Sequence, residues 1–152
     1  NILYVEFSFF FVILFVKLTI FSLLLVFFVG VKNVSAKDDN IGWEFTIYAE
    51  HTNSYSYSRY RETSSVANPW KVQLKTSGEG KGTITTFWLA KQIEPYYWQQ
   101  VSVTRNVKQG AAPTTSGAYK SANKSHVSLA AENNNYSVNS YWATGIWDEE
   151  TW

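Results

Sequence analysis

The stretch "WKVQLKTSGEGKGTITTFWLA" (Trp70–Ala90) decides the fold. Trp70, Val72 and Leu74 fall on one side of a two-residue repeat, and Lys71, Gln73 and Lys75 fall on the other. That alternation is the mark of a half-buried strand. "SGEGKG" (Ser77–Gly82) follows, with three glycines for a turn that needs positive φ. "TITTFWLA" (Thr83–Ala90) is β-branched and aromatic, as strands prefer. The expectation is a β-hairpin over Trp70–Ala90.

Period two continues in both directions. "GWEFTIYAE" (Gly42–Glu50) puts Trp43, Phe45, Ile47 and Ala49 on one face. "SYSYSRY" (Ser54–Tyr60) alternates tyrosine with serine, and Asn68-Pro69 breaks the chain. "QVSVTRNV" (Gln100–Val107) turns Val101, Val103 and Val107 inward, with Arg105 an oddity in the same row. Gln109–Gly117 reads as a loop, and "HVSLAAE" (His126–Glu132) faces Val127, Leu129 and Ala131 one way. "NNN" (Asn133–Asn135) reads as a tight turn, because Asn tolerates left-handed backbone. Val138–Trp147 is the last strand. Some seven short strands with turn signals about every 8–12 residues indicate an all-β chain, a single antiparallel β-sandwich. The part after residue 36 shows no helical period, no repeat and no internal linker.

The N-terminal part has a different composition. Lys17 precedes the uncharged run Leu18–Val31, and Val34-Ser35-Ala36 ends it with small residues. A basic start, an apolar run and a small-residue cleavage site make a secretory signal. The chain contains no Met, and residues 1–15 are almost pure Phe, Ile, Leu and Val. The expectation divides the chain into an upstream segment outside the natural product (1–15), a signal peptide (16–36) forming a cleavable hydrophobic helix, and a secreted β domain (37–152). Localisation would be secreted or extracellular. The rival is a membrane anchor over residues 2–31, long enough to span a bilayer only if Glu6 and Lys17 are tolerated at a cost. The membrane enters only through that segment, if it stays uncleaved.

Residues 37–152 suit one domain with its own core. Without Lys17 and Lys32, 11 of the 13 basic residues remain; without Glu6, 11 of the 12 acidic ones remain. A balanced charge gives no basic footprint for nucleic acid. There is no cysteine, so disulfides are excluded, while all seven Trp remain in this part. Buried indole and phenol rings supply large areas that can stand in for staples.

Catalytic chemistry finds little support. The two histidines, His51 and His126, have no partner at metal-ligand spacing, and there are no thiolates for zinc. A Gly-x-Ser-x-Gly elbow is absent, and the glutamates are scattered rather than paired. "GEGKG" (Gly78–Gly82) lacks the Ser or Thr and the helix of a phosphate loop. "DEE" (Asp148–Glu150) is the one acidic cluster; it lacks the spacing of a calcium loop and reads as a solvated tail. The expectation is therefore no enzyme, no catalytic or metal residue and no cofactor.

The aromatics outside the apolar alternation are the candidate ligand-binding residues: Tyr55, Tyr57 and Tyr60 in "SYSYSRY", and Tyr96, Tyr97 and Trp98 in "EPYYWQQ". Tyr and Trp among small polar neighbours make adaptable recognition surfaces. Trp43, Trp70, Trp88 and Trp142 read as core instead.

The phrases "NSYSYSRYRET", "NPWKVQL", "SGEGKGTITTFWL", "NVKQG", "AENNNYS" and "GIWDEETW" resemble, in the same order, a family of small exported proteins of Gram-positive bacteria catalogued as a domain of unknown function. That resemblance implies a signal peptide, a compact β fold and no assigned activity. In size, export and its Tyr-Ser-rich stretch the chain is also similar to lactococcin-type β-sandwich bacteriocins. The functional expectation is an exported, non-enzymatic β protein that binds an envelope glycan or surface component. The alternatives are a bacteriocin-like toxin acting on competitors' envelopes and a small cell-wall hydrolase.

Overall fold

The computed structural model describes residues 39–151. The expected upstream segment, signal peptide and hydrophobic helix fall outside that range. Ten strands occur in it: β1 Ile41–Ile47, β2 Ser54–Tyr55, β3 Arg59–Arg61, β4 Trp70–Ser77, β5 Ile84–Glu94, β6 Tyr97–Gln100, β7 Arg105–Lys108, β8 Thr114–Ser116, β9 Ser125–Asn133 and β10 Tyr141–Asp148. One 3-10 turn, Lys120–Ala122, is the sole helical element among the described residues. Every strand pair is antiparallel. The described part of the chain is all-β, as its alternation requires.

The strands form two sheets. One has the order β1-β10-β4-β8; in the other, β2-β9-β5-β6, β3 also pairs with β9 and β7 with β5. A single apolar cluster draws on both: Trp43, Ile47, Trp70, Val72, Leu74, Ala143 and Trp147 from the first sheet, and Phe87, Leu89, Val107, Val127, Leu129 and Ala131 from the second. These are the inward positions of the period-two pattern, so burial of one face explains why these segments are strands.

The expected hairpin does not form. β4 pairs with β10 and β8, whereas β5 pairs with β9, β6 and β7, so the glycine turn carries the chain from one sheet to the other. The hydrogen bonds explain the switch. The Gly78 N–H donates to Trp142 O (2.8 Å), which extends the β4 ladder along β10, and the Gln109 N–H donates to Thr83 O (2.8 Å), which starts β5 on its β7 side. Gly80 and Gly82 hold φ of +107° and +88°, supplying the positive φ expected of this block. β5 needs no β4 beside it, because Thr85, Phe87 and Leu89 bury on one face and Thr86, Trp88 and Ala90 on the other.

Other expectations change locally. Residues 100–107 do not form one strand: Ser102 makes an isolated bridge to Ala118, and its Oγ accepts from the Leu89 N–H (2.7 Å) and donates to Val103 O (3.1 Å). Val101 and Val107 are buried but Val103 is exposed. Arg105 sits opposite Phe87 in the Val107 row, and at the rim its Nε donates to Ser116 Oγ (3.0 Å). The loop expected over Gln109–Gly117 contains β8. Asn133–Asn135 turn without left-handed backbone; instead the Asn135 N–H donates to Asn133 Oδ1 (3.3 Å) and the Ser137 N–H to Asn135 Oδ1 (2.7 Å).

Gly145 marks a close approach. The β10–β4 register shifts between Thr144 and Gly145, where β4 carries Lys75 as an extra residue. A Cβ there would lie 1.9 Å from Gln73 O and 2.7 Å from the Trp43 ring, so only glycine lets that indole lie flat on the strand.

Candidate functional site

A slot opens between the free edge of β1 and the segment Ser54–Arg59. The two chains are tied at both ends. At one end the Ser54 hydroxyl donates to Thr46 O (2.6 Å); at the other Arg59 NH2 donates to Asp39 Oδ2 (3.0 Å). Between these ties they part, leaving a cleft of about 730 Å³. β1 from Ile41 to Phe45 forms one wall, Tyr55, Ser56, Tyr57 and Arg59 form the other, and Trp98 and Trp147 complete the lining.

The β1 wall presents backbone. The Trp142 carbonyl is taken by Gly78 and the Thr46 carbonyl by Ser54, so the pair Thr46↔Trp142 is not hydrogen-bonded across β1 and β10. Antiparallel pairs alternate. Glu44↔Thr144 and Gly42↔Ile146 are therefore of the same kind. The N–H and C=O of Gly42 and Glu44 point off the sheet edge into the slot. Gly42 adds no side chain, and the space where its Cβ would stand is empty. Glu44 is exposed and forms no ion pair among the described residues.

The opposite wall is aromatic. Tyr55 and Trp98 stack with centroids 4.2 Å apart and planes 10° from parallel. They lie over Trp88, Ala90 and Ala130, a second apolar cluster on the outer face of the larger sheet. Stacking and burial together hold both rings. Tyr57 is 98 % exposed beside them. Trp43, 5 % exposed, packs against Phe45 at 4.8 Å and against Phe87 at 5.3 Å. Its Nε1 has no hydrogen-bond partner among the described residues.

Three of the six residues expected to bind a ligand meet here: Tyr55, Tyr57 and Trp98. The other three do not. Tyr60 faces His126 edge-on at 5.3 Å. Tyr96 sits 97 % exposed at the β5–β6 turn with φ +65°, and Tyr97 is exposed opposite Glu94. None of the three lines the slot. Sequence reasoning missed Gly42, Glu44 and Arg59, and it assigned Trp43 to the core alone. The available signal was Gly42, an isolated glycine beside a strand pattern, which often marks a close backbone approach.

At the Arg59 end, the acidic cluster is not the solvated tail its composition suggests. Asp148, Glu149 and Glu150 are all buried. Glu149 accepts from Arg59 Nε, and its backbone carbonyl accepts from Arg61 NH1. Arg61, fully buried, also donates NH2 to Asn68 O and Nε to Asn123 Oδ1 (3.3 Å). Glu150 accepts from the Glu62 and Thr63 N–H groups (2.9 and 2.8 Å) and from Asn68 Nδ2 (3.3 Å). Asp148 accepts from the Asp39 N–H (2.8 Å). The hydrogen bond to Glu149 raises the Arg59 pKa above its ordinary value. Burial lowers that of Arg61, against the pull of Glu150, Glu149 and Asp148. The cluster is a polar clasp that fastens the chain's end to β3, with each carboxylate spent on a different donor.

A family model described as a protein of unknown function, DUF2712, matches residues 30–151, and the chain belongs to that family. No curated protein matches it. The chain is similar to a solved structure described as "Crystal structure of PirA", with 12 % identity, a TM-score of 0.41, and coverage of 76 % of this chain and 100 % of that one.

Proposed function

We propose that this member of the DUF2712 family is an exported, non-enzymatic binding protein of the cell envelope, built as a two-sheet sandwich, whose ligand enters the slot between β1 and Tyr55–Arg59. One observation carries the reading. Tyr55 and Trp98 come from stretches 43 residues apart in sequence, yet they stack into one wall across from a strand edge that no other described strand pairs. Edge strands normally have their open backbone covered or blunted. Aromatic walls beside a few polar groups suit recognition. The polar side chains at the slot support binding over catalysis: Arg59 is engaged by Glu149 and Asp39, which leaves Glu44 without a second carboxylate or a base beside it among the slot's lining residues. The apolar run and small-residue end before residue 37 support export.

The test is co-sedimentation of purified protein with isolated cell envelopes, paired with fractionation and mass spectrometry of the exported form. The reading expects retention on envelopes, lost in Trp98→Ala but kept in Tyr96→Ala, and a mature N-terminus near Lys37. Equal retention of Trp98→Ala would remove the slot from the account, and no retention would remove the envelope.

A further inference from the structure

We infer that the slot takes an extended peptide segment, which adds to β1 as a further strand and carries a basic residue opposite Glu44; this rests on the binding reading above. Gly42 and Glu44 offer two N–H and two C=O groups off the sheet edge, spaced by one residue. Only another extended backbone matches that spacing, and main-chain pairing of this kind gives affinity without a dedicated pocket. A glycan can stack on Tyr57 or Trp98, but it has no donor–acceptor repeat to meet a strand edge.

The side chains define the segment. A strand laid along β1 alternates its own side chains. Those pointing inward meet Trp43, Phe45, Tyr55 and Trp98, and call for apolar groups. Those pointing outward lie beside Gly42 and Glu44. Gly42 leaves space for any side chain. Glu44, exposed and unpaired among the described residues, calls for Lys or Arg, because opposite charges facing across a strand pair stabilise it. The same carboxylate argues against a second copy of this chain, since self-pairing centred on Glu44 would set two like charges face to face. The end ties limit the length. The Ser54–Thr46 and Arg59–Asp39 contacts leave β1 open over residues 41–45, so about three to five residues pair at roughly 3.4 Å each.

The experiment titrates purified protein with an acetylated, amidated octapeptide of alternating Val and Lys, followed by Trp fluorescence and amide shifts. Saturable binding is expected. Single backbone N-methylation should weaken it about tenfold or more at alternate peptide residues only, since one strand hydrogen bond is lost at each. An alternating Val and Glu peptide should bind more weakly than the Lys peptide. Gly42→Pro removes one outward N–H without touching the β10 ladder, and proline is tolerated at such edge positions; it should weaken binding about tenfold on the same ground. If that variant fails to fold, the N-methyl series on the unaltered protein decides. Binding indifferent to N-methylation overturns strand addition. Solubilised wall-glycan fragments that shift the Trp98 signal, with no response to peptides, overturn the peptide but leave the slot as a binding site. Silence toward both overturns the binding reading as well.

Discussion

The segment Ser54–Arg61 borders two regions that treat polar groups in opposite ways. At its Arg59–Arg61 end, arginines, carboxylates, the Asn68 amide and backbone donors satisfy one another in a buried clasp. At its Tyr55–Tyr57 end the wall is aromatic, and across from it the outward N–H and C=O groups of Gly42 and Glu44 stay unspent among the described residues. Two turns of sequence alternation separate the two regimes. A buried polar group without a partner is costly, so the clasp has every reason to be closed. An open edge at the surface costs little in itself because water serves it, but it invites pairing. The clasp is architecture, and the open edge is where this molecule has something left to offer.

Substitutions can break that contrast, and the largest effect belongs to the clasp. Arg61→Ala strips the donor from Asn68 O, Glu149 O and Asn123 Oδ1 and removes a buried cation that Glu150, Glu149 and Asp148 all attract. A loss of about 3–5 kcal/mol is expected in urea unfolding, as for other broken buried ion networks. A loss under about 1 kcal/mol would match an ordinary exposed pair instead. Next, Gly145→Ala places a methyl against Gln73 O and the Trp43 ring. It should cost about 1–3 kcal/mol as overpacking and also weaken ligand binding, because Trp43 lines the slot. If binding survives intact, Trp43 serves the core alone.

Trp98→Ala should lose the Tyr55 stack and cover of Trp88, about 1–2 kcal/mol in all, while abolishing binding. Arg61→Ala, where folded, should keep binding, because Arg61 does not line the slot. Smaller again is Tyr141→Phe, which leaves Thr85 Oγ1 without its 2.8 Å partner and costs about 1 kcal/mol. This variant also separates the regions by pH. Burial raises the Tyr141 pKa above its ordinary 10.0, so the folded state holds the proton more tightly than the unfolded chain. The resulting stability is complete below about pH 10 and declines above it. Arg59, also raised by its hydrogen bond to Glu149, stays charged across the range in which Tyr141 titrates. The alkaline limb of a stability profile should therefore flatten in Tyr141→Phe with the clasp still closed. Tyr96→Ala, at an exposed turn, should change stability by less than about 0.5 kcal/mol and leave binding alone.

The fold class was legible because alternation is a local consequence of burying one face. Trp43 and Ile47, Val72 and Leu74, Val127 and Leu129 each declare their side in a window of a few residues. Pairing was not legible in the same way. Nothing local in Ser77–Gly82 tells a hairpin from a crossover; the answer lies in Trp142 and Gln109, far along the chain. The site was half legible. Tyr55, Tyr57 and Trp98 stood out as aromatics outside the core rows, but so did Tyr60 and Tyr96, and only the sheet order brings the first three together. The clasp misled for a related reason. Asp148–Glu150 look like a tail until Arg59, Arg61 and Asn68 are brought beside them from positions 80 to 90 residues away. The arginines, Asn68 and the acidic end are one structure.

The most direct test of the open edge is residue-by-residue amide hydrogen exchange along β1 in the free protein. Trp43 and Phe45 stand in hydrogen-bonded pairs with β10 and should exchange slowly, whereas Gly42 and Glu44 should exchange fast and become protected when ligand is added. Slow exchange at all four residues in the free protein would contradict the account, because the edge on which binding depends would already be taken.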